Sequence, residues 1–537
     1  MSTIGNLNYR WSQALVSGFV AAGVARVVIS PGSRSTPLAL AMLRQPGLIC
    51  DVAVDERCAA FFALGQAKSS RQPVLLLATS GTAPANWLPA VIEASQSGVP
   101  LILLSADRPP ELQQCGANQT VNQSAMFAPY VRAAHLLGAP DAGFDPGWLH
   151  RLAAQMCEQA SWPRPGPVHL NQPFREPLLP NEPLPDVQDL PKIRISQPVM
   201  APEPQAIADL ARTISGRPGV IIAGESPFDS GYAEALTALA GQLDCPILAE
   251  PLSNLRFGAH DRTRLCVRYN RWLADPALAS RCRPEWVLRF GATPVTRHLQ
   301  QYLASVSGTH AWIEPTPGWS DPAHRLTHLL RADPAAACRA LLAAAPAAVA
   351  PAWREAFIAA ETQAEADQAA PHIAALIAEL PDDCAVFVGN SLAIRQLDSN
   401  SGGADKALRF YGNRGASGID GNISTAAGIA AIHGRVVALL GDLTCQHDLG
   451  GLALLQGRNA VVVAVNNAGG GIFDYLPQAA LAEFETGWRT PQQINFRHAA
   501  QTFSLGYHAA ESIDAFGQSL QAAFQSGGPQ LIELRLP

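Results

Sequence analysis

Short apolar runs alternate with helix-like segments along most of the chain. Residues 436–440 and 461–465 are rich in Val and Leu, are too short to span a membrane, and end in small or polar residues, so they are predicted to be buried strands. Between them, leucines recur at an approximately helical spacing, which predicts a helix over residues 447–457. Such a crossover is nearly always right-handed and makes its two strands parallel in one sheet.

Polar side chains follow both of these predicted strands. Asp442 comes just after the first strand and Asn467 just after the second. Open parallel sheets bind ligands in the crevice at the carboxyl ends of their strands. A carboxylate, an amide oxygen and a nearby glycine carbonyl are hard oxygen ligands that suit a Mg²⁺ ion bound together with phosphate oxygens. The alternative is a solvent-facing Asp and an Asn-rich turn, because short motifs often match by chance.

The same alternation elsewhere predicts three consecutive α/β domains, each built on a parallel sheet. The predicted strands are residues 27–30, 48–54, 74–78 and 101–105 in the first domain, 220–223, 246–249, 286–290 and 311–313 in the second, and 385–388, 436–440, 461–465 and 531–536 in the third.

Proline content sets the predicted domain boundaries. Eight prolines lie between residues 177 and 205, too many for a regular helix or a central strand. An Ala/Pro-rich stretch at residues 343–351 marks a second boundary. The predicted organisation is a first domain over 1–180, a Pro-rich linker over 181–205, a central domain over 206–342 and a last domain over 352–537.

Composition describes a globular protein and limits its partners. Of 537 residues, 48% are hydrophobic and 15% are charged, and the chain is long enough for three domains. A net charge of −6 gives no reason to expect nucleic acid or an anionic membrane as partner. No apolar run reaches transmembrane length and the first residues contain no apolar leader-like region, so we expect a cytoplasmic protein. The ten cysteines lack zinc-like spacing and are expected to be reduced core residues.

Two further features carry candidate chemistry. Glu56 follows the predicted strand 48–54 and begins a predicted helix that runs to about Lys68. A carboxylate there can simply interact with the positive end of the helix macrodipole. Residues 413–421, Asn-Arg-Gly-Ala-Ser-Gly-Ile-Asp-Gly, form a glycine-punctuated loop that enters a helix of small residues, which by itself indicates a turn and close packing.

The Gly-Asp and Asn-Asn pairs at the two strand ends resemble the cofactor signature of thiamine-diphosphate (ThDP) enzymes of the decarboxylase/carboligase type. The resemblance implies a pyrimidine-binding, a central and a diphosphate-binding domain, in that order. It implies that Asp442, Asn467 and the carbonyl of Gly469 hold a Mg²⁺ or Mn²⁺ ion that anchors the diphosphate. It also implies that Glu56 hydrogen-bonds N1′ of the pyrimidine ring, and that Ile419 supports the bent conformation of the cofactor.

Longer strings narrow the resemblance, although Leu443 stands where the general signature has glycine. The strings are PGSRST at 31–36, DER at 55–57, TSGTA at 79–83, ADRPPEL at 106–112, CGANQ at 115–119, VGNS at 388–391, NRGASGIDG at 413–421 and GDLT at 441–444. They resemble the 2-succinyl-5-enolpyruvyl-6-hydroxy-3-cyclohexene-1-carboxylate synthases, transferases of menaquinone biosynthesis. That family decarboxylates 2-oxoglutarate and adds the succinyl carbanion to isochorismate in a conjugate, Stetter-like step.

The resemblance assigns roles to matching residues. Glu56 and Ile419 are the expected catalytic residues. The expected cofactor-binding residues are these two with Ser391, Gly441, Asp442, Leu443, Asn467, Gly469, Gly470, Ile472 and Phe473. The substrates carry several carboxylates, which the planar fork of arginine suits, and the expected substrate residues are Ser33, Arg34, Asn118, Gln119, Arg297, Ser391, Arg395 and Arg414. In the central domain, Arg297-His298 stands where relatives carry a Lys-Arg pair.

The expected partners are small-molecule substrates and a second copy of the chain. In the family that the chain resembles, the glutamate and the metal-binding segment come from different subunits, so a homodimer is the expected minimum and a tetramer stays open. Other functions also stay open. One is a different ThDP carboligase or a simple 2-oxoacid decarboxylase, although the adjacent His-His pair frequent in such decarboxylases is absent from this sequence. Another is a protein that keeps the fold without turnover.

Overall fold

The computed structural model describes residues 3–181, 192–226, 231–365 and 370–535. Its strands form three sheets, one in each third of the chain, and each sheet has six strands. All neighbouring strands within the sheets are parallel in the described residues. The predicted α/β class with three consecutive parallel-sheet domains is confirmed.

The first sheet has its most buried strands in the centre. Its elements are α1 (Ile4–Ala21), β1 (Arg26–Ile29), α2 (Thr36–Arg44), β2 (Ile49–Val52), α3 (Glu56–Ser70), β3 (Val74–Ala78), α4 (Leu88–Ser97), β4 (Leu101–Asp107), β5 (Ala133–Leu136), α5 (Pro146–Ser161) and β6 (Pro167–Pro173). The strand order is β2-β1-β3-β4-β6-β5. The strands β3 and β4 are buried along their whole length, as expected for strands covered by helices on both faces.

The second sheet is built in the same way. Its elements are α6 (Pro204–Ile214), β7 (Gly219–Ala223), α7 (Tyr232–Leu243), β8 (Ile247–Ala249), β9 (Leu265–Cys266), α8 (Tyr269–Trp272), α9 (Pro276–Arg281), β10 (Trp286–Phe290), α10 (Arg297–Ser305), β11 (Thr309–Ile313), β12 (His328–Leu330), α11 (Pro334–Ala343) and α12 (Pro351–Glu365). The strand order is β12-β11-β10-β7-β8-β9.

The third sheet contains the two strands on which the sequence argument rests. Its elements are α13 (Pro371–Glu379), β13 (Cys384–Val388), α14 (Leu392–Asn400), β14 (Leu408–Gly412), α15 (Asn422–His433), β15 (Arg435–Gly441), α16 (Asp442–His447), β16 (Asn459–Asn466), α17 (Phe496–Thr502), β17 (Gly506–Ala510), α18 (Ile513–Ser526) and β18 (Pro529–Arg535). The strand order is β14-β13-β15-β16-β18-β17. The strands β15 and β16 are parallel neighbours, which confirms the predicted crossover.

The connection between β15 and β16 differs from the predicted helix over 447–457. The α-helix α16 begins earlier, at Asp442, and a 3-10 helix, Leu449–Leu455, follows it. Two consecutive glycines, Gly450 and Gly451, disfavour a regular α-helix here. A Cβ on Gly451 would lie 2.6 Å from Oγ of Ser424, so the chain passes close to α15 at this point.

Two of the predicted domain boundaries can be compared with the structure. Residues 182–191 of the predicted linker lie outside the described residues, and α6 already begins at Pro204, where proline is tolerated in a first helical turn. The predicted last domain begins at residue 352, within α12. However, the buried side chains of α12, among them Phe357 and Ala360, pack with Val220 and Ile222 of the central sheet.

Six strands of the structure, β5, β6, β9, β12, β14 and β17, lie outside the predicted set. The strand β6 shows why, since its buried residues are partly polar. Nε2 of His169 lies 2.7 Å from Oγ of Ser105, and the same hydroxyl donates to Oδ1 of Asn171 at 2.8 Å. Polar groups that satisfy one another inside a sheet leave no apolar run in the sequence.

The first and last domains are in direct contact through α3 and α15. A Cβ on Gly65 would lie 2.0 Å from the carbonyl oxygen of Thr425, and a Cβ on Gly428 would lie 2.0 Å from that of Phe62. Only glycine allows such an approach of two helix backbones. The helix α3, which begins at Glu56 as predicted, is therefore fixed against the last domain of the same chain.

Candidate active site

The carboxyl ends of β15 and β16 bring Asp442 beside the segment that follows Asn466. Asp442 is the first residue of α16 and is 4% exposed. The backbone N–H of Leu443 donates to its Oδ1 and the backbone N–H of Gly469 donates to its Oδ2, both at 2.8 Å. The carboxylate is thus oriented by the turn after β16, which is the predicted meeting of the two strand ends.

Asn467 and Gly469 complete a set of oxygen ligands at this edge. Within the described residues, Oδ1 of Asn467 is buried without a hydrogen-bond partner. Gly469 has φ = 135°, which only glycine adopts readily, and its carbonyl accepts from the N–H of Gly471 at 2.9 Å with a second lone pair left over. A buried carboxylate, an orphaned amide oxygen and a carbonyl fit a hard divalent cation.

Burial disfavours the ionised form of Asp442 at this edge, and a bound cation would offset that effect. Burial raises the pKa of the Asp442 carboxyl, while the N–H groups of Leu443 and Gly469 and the charge of Arg489 lower it. A nearby cation would stabilise the ionised form in the same way. The described residues contain no group of three or more His, Cys, Asp or Glu side chains that could hold a metal ion, so any cation here depends on neutral oxygens as well as Asp442.

Arg489 is a residue of this edge that the sequence analysis did not single out. Its Nη2 donates to the carbonyl of Asn467 at 2.6 Å, and its Nε lies 3.7 Å from Oδ1 of Asp474. Its Nη1 is buried without a partner in the described residues. Arg489 therefore brings a positive charge and an unsatisfied donor to the place where a diphosphate would lie. Arg489 does not follow an apolar run that predicts a strand, because the segment before it is long and irregular.

The segment after Gly469 carries the remaining predicted cofactor residues of this edge. The N–H of Gly470 donates to the carbonyl of Arg489 at 2.7 Å, and residues Gly471–Tyr475 form a 3-10 helix that includes Ile472 and Phe473. Ile472 and Phe473 are half-buried. Gly441 is the last residue of β15 and directly precedes Asp442.

The end of β13 contributes a second group of predicted residues. Ser391, with φ = 65°, is the N-cap position of α14. Arg395 is exposed on the first turns of α14 and its Nη1 donates to the carbonyl of Ser391 at 2.7 Å. Partial desolvation, and secondly the charge of Arg414, lower the pKa of Arg395. The structure thus brings two of the predicted substrate arginines near each other.

Asn390, which lies in the VGNS string but is not among the candidate residues predicted from sequence, orders the loop 413–421. Its Nδ2 donates to the carbonyls of Asn413 at 3.0 Å and Gly418 at 2.7 Å, and its Oδ1 accepts from Nη1 of Arg414 at 2.5 Å. Ile419, in the same loop, is 37% exposed. This exposure leaves Ile419 free to contact a ligand.

Glu56 stands at the carboxyl end of the first sheet. The Asp55 carboxylate caps α3 by accepting from the N–H groups of Arg57 at 2.9 Å and Cys58 at 3.1 Å, so Glu56 itself is not needed as the cap. The Glu56 side chain is half-buried and has no hydrogen bond or ion pair with any described residue. Nη2 of Arg57 donates to the carbonyl of His447 at 3.2 Å, which ties this helix start to the last domain.

Of the other predicted residues of the first domain, Arg34 and Gln119 have hydrogen-bond partners within the chain, and Ser33 and Asn118 are exposed. Arg34 is 2% exposed, and it donates to the carbonyl of Phe174 at 2.9 Å and to Oε1 of Glu176 at 2.7 Å. Ser33 next to it is exposed. Gln119 donates to the carbonyl of Ser80 at 2.9 Å and its own carbonyl accepts from Oγ of Ser80. Asn118 is exposed.

Arg297 and His298 lie at the start of α10 in the central domain. Arg297 is exposed, and Nδ1 of His298 lies 3.0 Å from the carbonyl of Asn270. No hydrogen bond or ion pair joins either of them to Asp442 or Glu56 among the residues the structure describes. Their role in substrate binding stays a prediction.

The structure also bears on the expected role of the cysteines and on the expected lack of membrane-spanning helices. All ten cysteines are free, and the predicted use in packing is confirmed for the eight that are buried, Cys445 among them. Cys50 is half-buried and Cys115 is exposed. Within residues 3–181, 192–226, 231–365 and 370–535, no helix is both long and apolar enough to cross a membrane.

Family models match all three domains. Residues 10–126 match the N-terminal TPP binding domain of thiamine pyrophosphate enzymes, residues 195–380 match the middle domain of thiamine pyrophosphate, and residues 401–534 match the C-terminal TPP binding domain of thiamine pyrophosphate enzymes. The fold and the oxygen-rich edge at Asp442 therefore define a thiamine-diphosphate enzyme. Thiamine pyrophosphate is another name of thiamine diphosphate, so the predicted organic cofactor is confirmed.

Curated relatives narrow this class to one family. A 2-succinyl-5-enolpyruvyl-6-hydroxy-3-cyclohexene-1-carboxylate synthase of Dechloromonas aromatica is 64% identical over 535 residues and covers 100% of both chains. Synthases of the same name from Geobacillus thermodenitrificans and Haloarcula marismortui are 40% and 39% identical, over 97% and 99% of this chain and 92% and 96% of theirs. The chain belongs to the family of 2-succinyl-5-enolpyruvyl-6-hydroxy-3-cyclohexene-1-carboxylate synthases, which are transferases.

Proposed function

We propose that the chain decarboxylates 2-oxoglutarate and adds the resulting succinyl unit to isochorismate, with ThDP and Mg²⁺ (or Mn²⁺) bound, in menaquinone biosynthesis. The product is the compound that gives the family its name. The observation that carries the proposal is the convergence of the Asp442 carboxylate, the orphaned Asn467 amide oxygen and the Gly469 turn at one sheet edge. In a chain of this family, that edge suits the diphosphate end of the cofactor.

The last domain would hold the cation and the diphosphate. Asp442, Asn467 and the carbonyl of Gly469 would coordinate the metal ion, and the buried position of Asp442 would exclude competing water. The residues that would contact the cofactor around them are Ser391, Gly441, Leu443, Gly470, Ile472 and Phe473. Bound ThDP supplies the electron sink for decarboxylation and carbon–carbon bond formation.

Glu56 would act on the pyrimidine end of the cofactor. Its carboxyl group would hold a proton at the ring nitrogen N1′, and its lack of a partner within the described chain supports such a role. Ile419 would support the bent conformation of the cofactor through its exposed side chain. We propose that Glu56 and the Asp442 edge of one site come from two copies of the chain, so that the working unit is a homodimer or a pair of homodimers.

Positive charge and neutral donors would bind the substrate carboxylates. An unpaired buried carboxylate is unfavourable by several kcal/mol, so each substrate needs cations or donors facing it. Arg395 beside Arg414 suits 2-oxoglutarate, since two neighbouring guanidinium groups attract anions. Arg34 would serve the acceptor. The further substrate residues in this proposal are Ser33, Asn118, Gln119, Arg297 and Ser391.

The remaining predictions complete the proposal. The first domain, 1–180, would bind the pyrimidine end, residues 181–205 would link it to the central domain, 206–342, and residues 352–537 would bind the diphosphate. Within this last range, α12 would pack on the central domain, because Phe357 is buried against the central sheet, and the segments after α12 would bind the diphosphate. We also propose that the enzyme works in the cytoplasm.

An assay with purified protein tests the proposal. The protein is supplied with ThDP, Mg²⁺ and 2-oxoglutarate, with and without isochorismate, and product is followed by mass spectrometry and by loss of isochorismate absorbance. We expect the adduct only when both substrates are present. Equal use of pyruvate and 2-oxoglutarate, or CO₂ release unaffected by isochorismate, would instead indicate another carboligase or a simple 2-oxoacid decarboxylase.

A further inference from the structure

We propose that Glu93 is a positioning residue for the reaction: from the first domain it holds the loop 413–421 of the last domain in the same chain, and thereby sets the positions of Arg414 and Ile419. This inference rests on the proposed function, in which Arg414 and Ile419 contact substrate and cofactor. Glu93 itself would touch neither.

The contact between Glu93 and the loop uses both carboxylate oxygens. Glu93 lies on α4 and is 2% exposed. Its Oε1 accepts from the backbone N–H of Gly415 at 2.9 Å, and its Oε2 accepts from the N–H of Ala416 at 2.6 Å. Hydrogen bonds from two consecutive N–H groups to a buried carboxylate fix the direction of the loop backbone as well as its distance.

The loop backbone also lies directly against α4. A Cβ on Gly415 would lie 2.6 Å from the carbonyl oxygen of Glu93 and 2.8 Å from the nitrogen of Ser97, so no larger residue fits there without movement. On its other side the loop is held by Asn390 of the last domain. The loop is therefore held by hydrogen bonds to both the first and the last domain. Arg414 immediately precedes the two residues that contact Glu93, and Ile419 follows them by three residues.

Lys68 balances the charge of this contact. Its Nζ lies 3.8 Å from Oε1 of Glu93 and 3.6 Å from Oε1 of Glu225, and it donates to the carbonyl of Gly412. Its side chain is 9% exposed. Lys68 and Glu93 belong to the first domain, Glu225 to the central domain and Gly412 to the last. The carboxylate that positions the loop thus lies where all three domains meet.

A simpler role for Glu93 is to stabilise the contact between domains without effect on the chemistry. The two roles differ in what a substitution changes. A stabilising contact affects the melting temperature and leaves turnover of the folded enzyme unchanged. A positioning contact affects kcat, because small displacements of groups around a reacting centre reduce the rate strongly.

The test compares Glu93→Gln with the control Glu158→Gln, which removes the same charge at an exposed position of α5 in the same domain. An amide at position 93 keeps one acceptor and turns an NH₂ group toward the other loop N–H. The readouts are hydrogen exchange of the peptide covering 413–421, ThDP affinity by calorimetry, and kcat at saturating cofactor and substrates. Wild-type turnover is measured first, so failure of the proposed function would be seen independently of Glu93.

For Glu93→Gln we expect at least tenfold faster exchange in the loop peptide, at least tenfold lower kcat, and ThDP affinity within about threefold of wild type. Glu158→Gln should match wild type throughout. Unchanged exchange, or faster exchange with kcat within twofold of wild type, would overturn the proposal.

Should Glu93→Gln fail to fold, Glu93→Asp serves the same test, because it keeps the charge beside Lys68 and withdraws the carboxylate from the loop by one methylene. We expect it to recover only part of kcat. Full wild-type turnover of Glu93→Asp together with faster loop exchange would likewise overturn the proposal.

Discussion

The two sheet edges that carry the candidate site differ in how complete they are within one chain. In the last domain, the proposed cation ligands already lie together, since the N–H of Gly469 donates to Asp442, and Asn467 lies beside them with a buried oxygen that has no hydrogen-bond partner in the described residues. In the first domain, Glu56 has no partner in the described residues, and Arg34 is engaged by Glu176 and Phe174.

This difference shows which part of the candidate site is already formed within a single folded chain. The cation edge is built by two neighbouring strands and one turn, so its geometry follows from the sheet itself. Glu56 would gain its proposed function only when a group outside its own domain approaches it. We attribute this to a site formed by two copies of the chain, in which the prepared edge of one copy meets the unpartnered edge of the other.

The largest effect is expected at the unpartnered edge. Glu56→Gln should lower kcat by about 10²–10⁴-fold, because an amide fills the same space without a proton to share with the cofactor ring. Calorimetry should show nearly unchanged ThDP affinity, and Glu158→Gln serves as the control. A kcat within a few-fold of wild type would mean that Glu56 only begins a helix.

At the prepared edge, Asp442→Ala should weaken ThDP and Mg²⁺ binding together by roughly 100-fold, since the cation loses its one anionic ligand beside the diphosphate. The fold should persist, because Asp442 lies at the end of its strand. Calorimetric titration of each ligand in the presence of the other measures the effect, with exposed Asp514→Ala as a control. Unchanged ThDP affinity would exclude Asp442 as a metal ligand.

Substrate binding should respond less. Arg395→Ala should reduce kcat/KM for 2-oxoglutarate by about 10–100-fold, on the scale of roughly 1.5–3 kcal/mol for a hydrogen bond to a charged group. ThDP affinity should barely change, and Arg409→Ala, also exposed in the last domain, should match wild type. Steady-state kinetics with each substrate varied in turn decides this, and unaltered values for both substrates would remove Arg395 from the pocket.

The smallest effect concerns Asp448, which joins the two regions. Its Oδ2 accepts from the N–H of Ser424 at 2.8 Å, and its Oδ1 lies 3.8 Å from Nη2 of Arg57. Burial raises the pKa of Asp448 to about 6 from 3.8. Between these two pH values the folded protein binds a proton that the unfolded chain does not, so this group favours the folded state more as the pH falls.

Asp448→Asn lacks this titration. Lowering the pH from 7.5 to 5 should therefore shift the melting temperature of wild type upward relative to Asp448→Asn, by on the order of 1–3 °C for about 1.4 kcal/mol. Calorimetric scans at both pH values measure the difference. A difference that stays constant, or moves against wild type, would contradict the raised pKa.

Much of the fold and the cation edge could be predicted from sequence, because both depend on local patterns. Buried parallel strands leave short apolar runs, and ligands at strand ends follow directly after such runs. Asp442 and Asn467 were selected in this way, and the structure brings them to the same end of the sheet, while their binding of a cation stays a prediction. The helix predicted over 447–457 was wrong because leucine spacing outweighed the Gly450-Gly451 pair.

Other residues of the site lie beyond such reasoning. Arg489 and Asn390 reach the candidate site through tertiary contacts, and no spacing of residues in the sequence predicts these contacts. Glu93 left one usable signal, a carboxylate within the otherwise apolar stretch Leu-Pro-Ala-Val-Ile-Glu-Ala. Such a residue is buried only with partners, yet the sequence alone does not say that the partners are the N–H groups of Gly415 and Ala416.

Activity of mixed dimers tests most directly whether each site combines the two edges from different copies. Glu56→Gln and Asp442→Ala chains with different affinity tags are co-expressed, and the heterodimer is purified through both tags. One of its two sites then carries both substitutions and the other carries none. The account predicts about half of wild-type activity in the heterodimer, while both parent homodimers are nearly inactive. A heterodimer as inactive as its parents would show that Glu56 and Asp442 of one site belong to the same chain.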